Sequence, residues 1–193
     1  GVNLDYFSYN AKKYSENQIL NFLYLGRIIR DKGIIEYLNA ISEIKKNNFN
    51  VTFTFVGKLN YKDKKLIKLF NYCLSNNYIN YLNEVMDVKK YIINCDCLVL
   101  PSYREGLSKS LLEASAIGRP MLVSNVPGCR DVVKNNLNGL LFNSKDYKSL
   151  QSCIIKFIEM PTIQKNLLAK KANELSGKFN EMIIVKKYLN KIN

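Results

Sequence analysis

The chain predicts an α/β fold: six parallel strands in one doubly wound, Rossmann-like sheet, with helices on both faces. Two observations carry that prediction. Six short apolar runs, at 22–25, 51–56, 79–82, 97–100, 120–124 and 139–142, are bounded by polar residues or glycine, as strands buried on both faces are. Stretches with helical apolar spacing, at 33–46, 62–76, 88–94, 108–117 and 147–159, alternate with them. Two further helical patterns, at 162–176 and 180–191, close the chain. Strands that alternate with helices in this way form parallel sheets through right-handed crossovers.

The elements in order place the chemistry. The first strand ends at Gly26-Arg27, and Lys32 and Gly33 follow before the first helix. The second strand ends in Phe55-Val56-Gly57. The third runs into Leu82-Asn83-Glu84-Val85-Met86-Asp87. The fourth, Cys97-Leu98-Val99-Leu100, leads into Pro101-Ser102-Tyr103-Arg104-Glu105 and a helix carrying Glu113. In the strand order 3-2-1-4-5-6, strands 1 and 4 are neighbours, and ligands bind in the crevice at their carboxyl ends. Two segments distant in sequence therefore meet at one site. The first offers the cations Arg27 and Lys32. The second offers Glu105 on the strand-to-helix turn, Glu113 about two helical turns on, and the N–H groups of Gly106, Leu107, Ser108 and Lys109, which suit a phosphate. Arg supplies forked hydrogen bonds and Lys a mobile point charge. Gly26 and Gly33 allow tight turns or close approach of a ligand. Taken singly, each feature has a plainer reading: a solvated turn for Glu105, a capping box with Ser110 for Glu113, a basic surface loop for Arg27 and Lys32, and a surface charge for Arg30.

The string Pro101-Ser102-Tyr103-Arg104-Glu105-Gly106-Leu107-Ser108-Lys109-Ser110-Leu111-Leu112-Glu113-Ala114 resembles the Glu-x7-Glu motif of retaining glycosyltransferases of the GT-B fold, in the group 1, GT4-type family. The match continues through Gly118-Arg119-Pro120, Val126-Pro127-Gly128-Cys129-Arg130-Asp131-Val132-Val133 and Asn138-Gly139-Leu140-Leu141. Leu25-Gly26-Arg27 with Lys32-Gly33 resembles the family's diphosphate-binding segment, and Gly57 and the stretch around Val85 resemble the segments that flank the base. Asn83 stands where the family usually has glycine, and Asn tolerates the left-handed conformation that glycine serves.

The resemblance covers nearly the whole chain, as the C-terminal, donor-binding half of such an enzyme. It implies one domain over 1–193, with 1–20 as a linker-like opening segment and 178–193 as a closing helix. The missing partner is an N-terminal acceptor domain. That closing helix carries more apolar side chains, Phe179, Met182, Ile183, Val185, Tyr188, Leu189 and Ile192, than one core-facing stripe needs, which suits packing against the absent domain. The implied function is transfer of a hexose or N-acetylhexosamine from a UDP-sugar to a glycan or lipid-linked acceptor in bacterial surface polysaccharide synthesis. Gly26, Arg27, Lys32, Gly57, Val85, Gly106, Leu107, Ser108 and Glu113 hold the donor, and Glu105 acts at the sugar. No metal or other cofactor is implied, because Arg and Lys neutralise the diphosphate and no Asp-x-Asp is present. A half-enzyme of this kind is expected to bind donor but not to turn over.

Composition fits a globular domain with its own core. The chain has 193 residues, ordinary apolar content and no apolar run of about 18 residues that spans a membrane. The start, Gly1-Val2-Asn3-Leu4-Asp5, does not read as a signal peptide. The five cysteines are scattered and no histidine is present, so the expectation is buried free thiols in a reducing cytosol, without zinc. The net charge of +13 accompanies many Lys, Asn, Ile and Tyr residues, a bias typical of low-GC genomes. That charge also favours nucleoside diphosphates and a peripheral contact with the anionic inner face of a cell membrane. Three rival readings differ in what they need. A nucleic-acid module needs gathered basic and aromatic motifs, which are absent, so no nucleic-acid partner is expected. A nicotinamide oxidoreductase needs Gly-x-Gly-x-x-Gly after strand 1, also absent. An epimerase-like GT-B enzyme shares the fold but not the setting of Glu105 and Glu113.

Overall fold

A computed structural model describes residues 1–183. Six strands, β1 (Leu20–Leu25), β2 (Val51–Val56), β3 (Asn80–Leu82), β4 (Cys97–Leu100), β5 (Met121–Ser124) and β6 (Gly139–Phe142), form one parallel sheet. Their order is β3-β2-β1-β4-β5-β6, as expected. The helices are α1 (Ile34–Lys46), α2 (Lys64–Ser75), α3 (Lys89–Asn94), α4 (Lys109–Ile117), α5 (Pro127–Val132), α6 (Tyr147–Glu159) and α7 (Thr162–Ser176). α1 packs with α2 and α6, and α4 with α3, α5 and α7.

The core forms where the apolar runs meet the helices. Phe22 stacks on Phe53 at 5.3 Å, and Tyr37 of α1 meets Phe53 edge-on at 6.0 Å. Burying each such side chain contributes about 1.5–3 kcal/mol. All five cysteines are buried and unpaired, as small apolar residues. Burial pushes the Cys95 and Cys153 thiols up to about 12.

Three expectations need correction. β3 is not buried on both faces: Asn80 and Leu82 are exposed because it is the edge strand. β1 begins two residues before the apolar run. Polar Asn21 belongs to the strand because its Oδ1 accepts bonds from the hydroxyls of Thr52, at 3.2 Å, and Thr54, at 3.0 Å. The segment 127–132 is a helix, α5, too short to show a period. Its one legible signal is Pro127 at the first position, where proline's fixed φ suits a helix start. Of the closing helix expected at 180–191, only residues 181–183 are described, and they are helical; the remainder lies outside the described residues. Met182 and Ile183 are exposed.

The opening segment is tied down along its length. Val2 is buried and pairs with Asn180. Arg119, with no exposed surface, donates to the carbonyls of Asn10 at 2.7 Å, Ile92 at 3.1 Å and Ile93 at 2.7 Å. Buried Asp96 gathers Lys12 at 3.0 Å, Gln18 at 3.0 Å and the Asn21 N–H at 2.8 Å, while Tyr14 donates to its carbonyl. These contacts hold residues 10–21 against α3 and α4.

Removing Arg119 strands several buried carbonyls, each costing about 1–3 kcal/mol. Arg119→Ala is therefore expected to lose about 3 kcal/mol or more in urea unfolding. Arg119→Lys is expected to recover only part, since one ammonium cannot serve acceptors spread around a planar fork.

Candidate functional site

The site lies where β1 and β4 end side by side. Leu23 stands opposite Leu98, and the chain beyond each strand turns toward the same crevice. Glycines make the approach possible. Gly57 has φ +140°, and a Cβ there would lie 2.0 Å from the Gly26 carbonyl oxygen. Gly33 has φ +67°, and its Cβ would meet the Pro101 oxygen at 1.9 Å. The first contact brings the ends of β1 and β2 together, and the second brings the start of α1 against the end of β4.

The resulting cleft holds about 610 Å³. Nine of the ten expected site residues line it: Gly26, Arg27, Lys32, Gly57, Val85, Glu105, Leu107, Ser108 and Glu113. Gly106 does not, although it sits on the same turn with open space where a side chain would be. That turn is braced from behind. A Cβ on Gly128 would lie 2.0 Å from the Gly106 oxygen and 2.3 Å from the Glu105 oxygen, so α5 packs directly on the turn. Tyr24, buried below, donates to the Arg27 carbonyl at 2.7 Å and fixes the loop after β1. Burial and the neighbouring Glu105 hold its phenol well above the ordinary range.

The charged groups divide into paired and unpaired. Lys32 bonds Glu105, and the Ser102 hydroxyl donates to the same carboxylate oxygen at 2.7 Å. Glu105 is nearly buried and Lys32 mostly so. Arg27 and Glu113 have no ion pair or side-chain hydrogen bond among the described residues. The capping reading of Glu113 fails. The helix starts at Lys109 with Ser108 as its N-cap, and Ser110 lies inside it, with its hydroxyl 3.1 Å from that of Ser108. Burial pushes the Glu113 carboxyl up to about 7, and the nearby Lys109 only partly offsets this. A half-buried acid without a partner, facing a cleft, is poised for donors that a ligand brings.

Asn83 departs from expectation. It does not adopt a positive φ; its side chain accepts the Glu84 N–H at 2.9 Å and caps the turn locally. Arg30 is not a plain surface charge, because it holds Asp63 through two bonds of 2.9 Å. Residues that the sequence reading missed include Lys58 and Glu84, which line the cleft. Lys58 directly follows Gly57, and that adjacency was the available signal. Tyr6 was missed too. Its hydroxyl donates to Asp87 at 2.9 Å and Lys89 lies 4.8 Å over its ring, so the opening segment touches the loop that carries Val85. Among the described residues no group of His, Cys, Asp and Glu side chains could hold a metal ion, and no helix is long and apolar enough to cross a membrane.

Comparison with known proteins places the chain in a family. The family described as glycosyl transferases group 1 matches residues 9–175. The chain is 31% identical over 167 residues to the N,N'-diacetylbacillosaminyl-diphospho-undecaprenol alpha-1,3-N-acetylgalactosaminyltransferase of Campylobacter jejuni, covering 86% of this chain and 43% of that protein. It is 26% identical over 190 residues to the capsular polysaccharide biosynthesis glycosyltransferase CapM of Staphylococcus aureus, covering 95% of this chain and 50% of that one. It thus spans about half the length of the curated relatives it matches. Among solved structures, it is similar to the C-terminal domain of LpcC, a glycosyl transferase group 1 family protein of Francisella tularensis. The TM-score is 0.78 and the identity 19%, over 94% of this chain and 100% of that one. It is also similar to Anabaena HepE in complex with UDP, with TM-score 0.85 and 17% identity over 100% of this chain and 55% of that one. At these identities the structures speak to the fold alone, a GT-B C-terminal half, while the family match spans most of the sequence: the chain belongs to the group 1 glycosyltransferases.

Proposed function

We propose that this chain is the donor-binding half of a retaining glycosyltransferase. It holds a UDP-sugar whose hexose or N-acetylhexosamine passes to a glycan or lipid-linked acceptor in surface polysaccharide synthesis. The observation that carries this reading is one cleft with unpaired Arg27 at one strand end and unpartnered, half-buried Glu113 beyond the α4 N-terminus at the other. The relatives' names, a diphospho-undecaprenol glycosyltransferase and a capsular polysaccharide glycosyltransferase, support the acceptor class. The UDP in the HepE complex supports the base.

Each residue then has a role. Arg27 and Lys32 meet the diphosphate, and the N–H groups after Glu105 add donors as charge develops on the leaving group. These cations supply the neutralisation, so the reading needs no metal. Glu113 accepts from the ribose hydroxyls, with Val85 and Gly57 beside the base. Glu105 holds sugar hydroxyls near the anomeric carbon. The bond from that carbon to the β-phosphate oxygen breaks and its electron pair stays on the phosphate. The acceptor hydroxyl attacks from the same face, and its proton passes to the leaving phosphate. Positioning the acceptor hydroxyl also needs walls from the N-terminal half.

Titration calorimetry is expected to show UDP binding, weakened about tenfold or more by Arg27→Ala with the melting temperature unchanged. Lys32→Ala is expected to lower both affinity and melting temperature, because it strands nearly buried Glu105. Unchanged affinity in both variants defeats the phosphate role.

The Glu113 carboxyl stands at about 7 in the free chain. Ribose hydroxyls that donate to its ionised form lower that value in the complex. Binding then releases a proton in the window below about pH 7, and affinity rises with pH across it. UDP-glucose suits the measurement, since its diphosphate does not titrate there. Glu113→Gln is expected to flatten the dependence; an unaltered slope removes Glu113 from the ribose site. The purified chain is also expected to bind UDP-glucose yet transfer no sugar, and robust transfer contradicts the half-enzyme reading.

A further inference from the structure

A second cleft, of about 340 Å³, opens beside the first. It forms where the chain beyond β1 pairs with the chain beyond β2. The Ile28 N–H donates to the Lys58 carbonyl at 2.9 Å, and the Asn60 N–H donates to the Ile28 carbonyl at 3.1 Å. Its wall is mostly apolar, supplied by Ile29, Leu59 and Tyr61, and the tyrosine is 71% exposed. Arg27, Lys58 and Lys62 stand around that wall. None of the three has a carboxylate within ion-pair distance among the described residues. The adjacent acid, Asp63, is already committed. Arg30 holds it through two bonds, and it caps α2 by accepting the Leu66 N–H at 3.1 Å.

Arg27 and Lys58 line both clefts. The two are therefore halves of one surface divided by a shared cationic ridge. An inorganic anion has no use for an apolar wall, and a purely apolar ligand has none for three unpaired cations. The arrangement suits an amphiphile with an anionic head, placed so that the head lies against the diphosphate end of the donor cleft.

We propose that the second cleft receives the head of a lipid-linked diphosphate acceptor. Its phosphates lie on the ridge of Arg27, Lys58 and Lys62, and its first isoprenoid units lie against Ile29, Leu59 and Tyr61. This rests on reading the main cleft as the donor site. The phosphates of a bilayer lipid share the chemistry, but only an acceptor gains from contiguity with the donor cleft, which brings its sugar hydroxyls toward the anomeric carbon. The donor half thereby contributes directly to acceptor recognition.

The test uses the whole chain with farnesyl diphosphate as probe, titrated by calorimetry in the presence of saturating UDP. UDP affinity is measured in the same series. The expected result is that farnesyl diphosphate binds alongside UDP, and far more tightly than inorganic pyrophosphate does. Lys62→Ala combined with Tyr61→Ser, both exposed and outside the donor cleft, is expected to weaken the probe about tenfold while UDP affinity holds. Three results overturn the proposal: loss of probe binding under saturating UDP, unchanged probe affinity in the double variant, or binding to phosphatidylglycerol vesicles with none to the probe. If UDP itself does not bind, the donor reading fails; if UDP binds and the probe does not, only the second cleft is misread.

Discussion

The pairing of β1 with β4 is the constraint on which the site depends. It reverses the strand order at the middle of the sheet, so the loops that leave these two strands diverge above one crevice. Strand pairing alone leaves the two loops merely near each other. The contact of Gly33 with the Pro101 carbonyl brings them together, in a space where no Cβ fits. Lys32 is then held one residue before that contact and Glu105 four residues after it, and the two side chains join across the crevice.

Charge pairing explains what the cleft can and cannot do. Lys32 and Glu105 neutralise each other, with Ser102 satisfying the same carboxylate oxygen, so that part of the cleft is electrostatically closed. A buried pair of this kind adds little net stability, but breaking it is expensive. It fixes two side chains of the site instead. Arg27 and Glu113 are left open in the same cleft, one cationic and one raised toward neutrality by burial. A ligand with a diphosphate and a vicinal diol is complementary to both groups at once. The same unpaired ridge, extended through Lys58, joins the main cleft to its neighbour.

The opening segment shows how little a linker-like sequence says about how firmly it is held. Residues 1–20 carry no periodicity, yet Arg119 and Asp96 fasten them to α3 and α4. A guanidinium suits this role because its fork reaches carbonyls in several directions. Burial disfavours its charge, and carbonyl oxygens rather than a carboxylate offset the cost. Through Tyr6 and Asp87 the same segment touches the loop of Val85 at the rim of the cleft.

The sequence by itself determined the alternation of strands and helices and the sheet order. Both follow from local apolar periodicity and from the few ways right-handed crossovers connect parallel strands. It also determined which segments end at the crevice, and nine of the ten residues it assigned to the site line the cleft. It went wrong where a short element has no period to show, as at α5, and at the edge strand β3, whose exposure depends on its neighbours. Only the tertiary structure decided that Lys32 is paired while Arg27 is not, that Glu113 is desolvated and not a cap, and that Arg119 is buried. It alone placed Lys58 in the main cleft and Tyr61 beside it. These are properties of groups brought together across long sequence separations. Burial and charge pairing arise from such encounters, and residue order along the chain does not encode them locally.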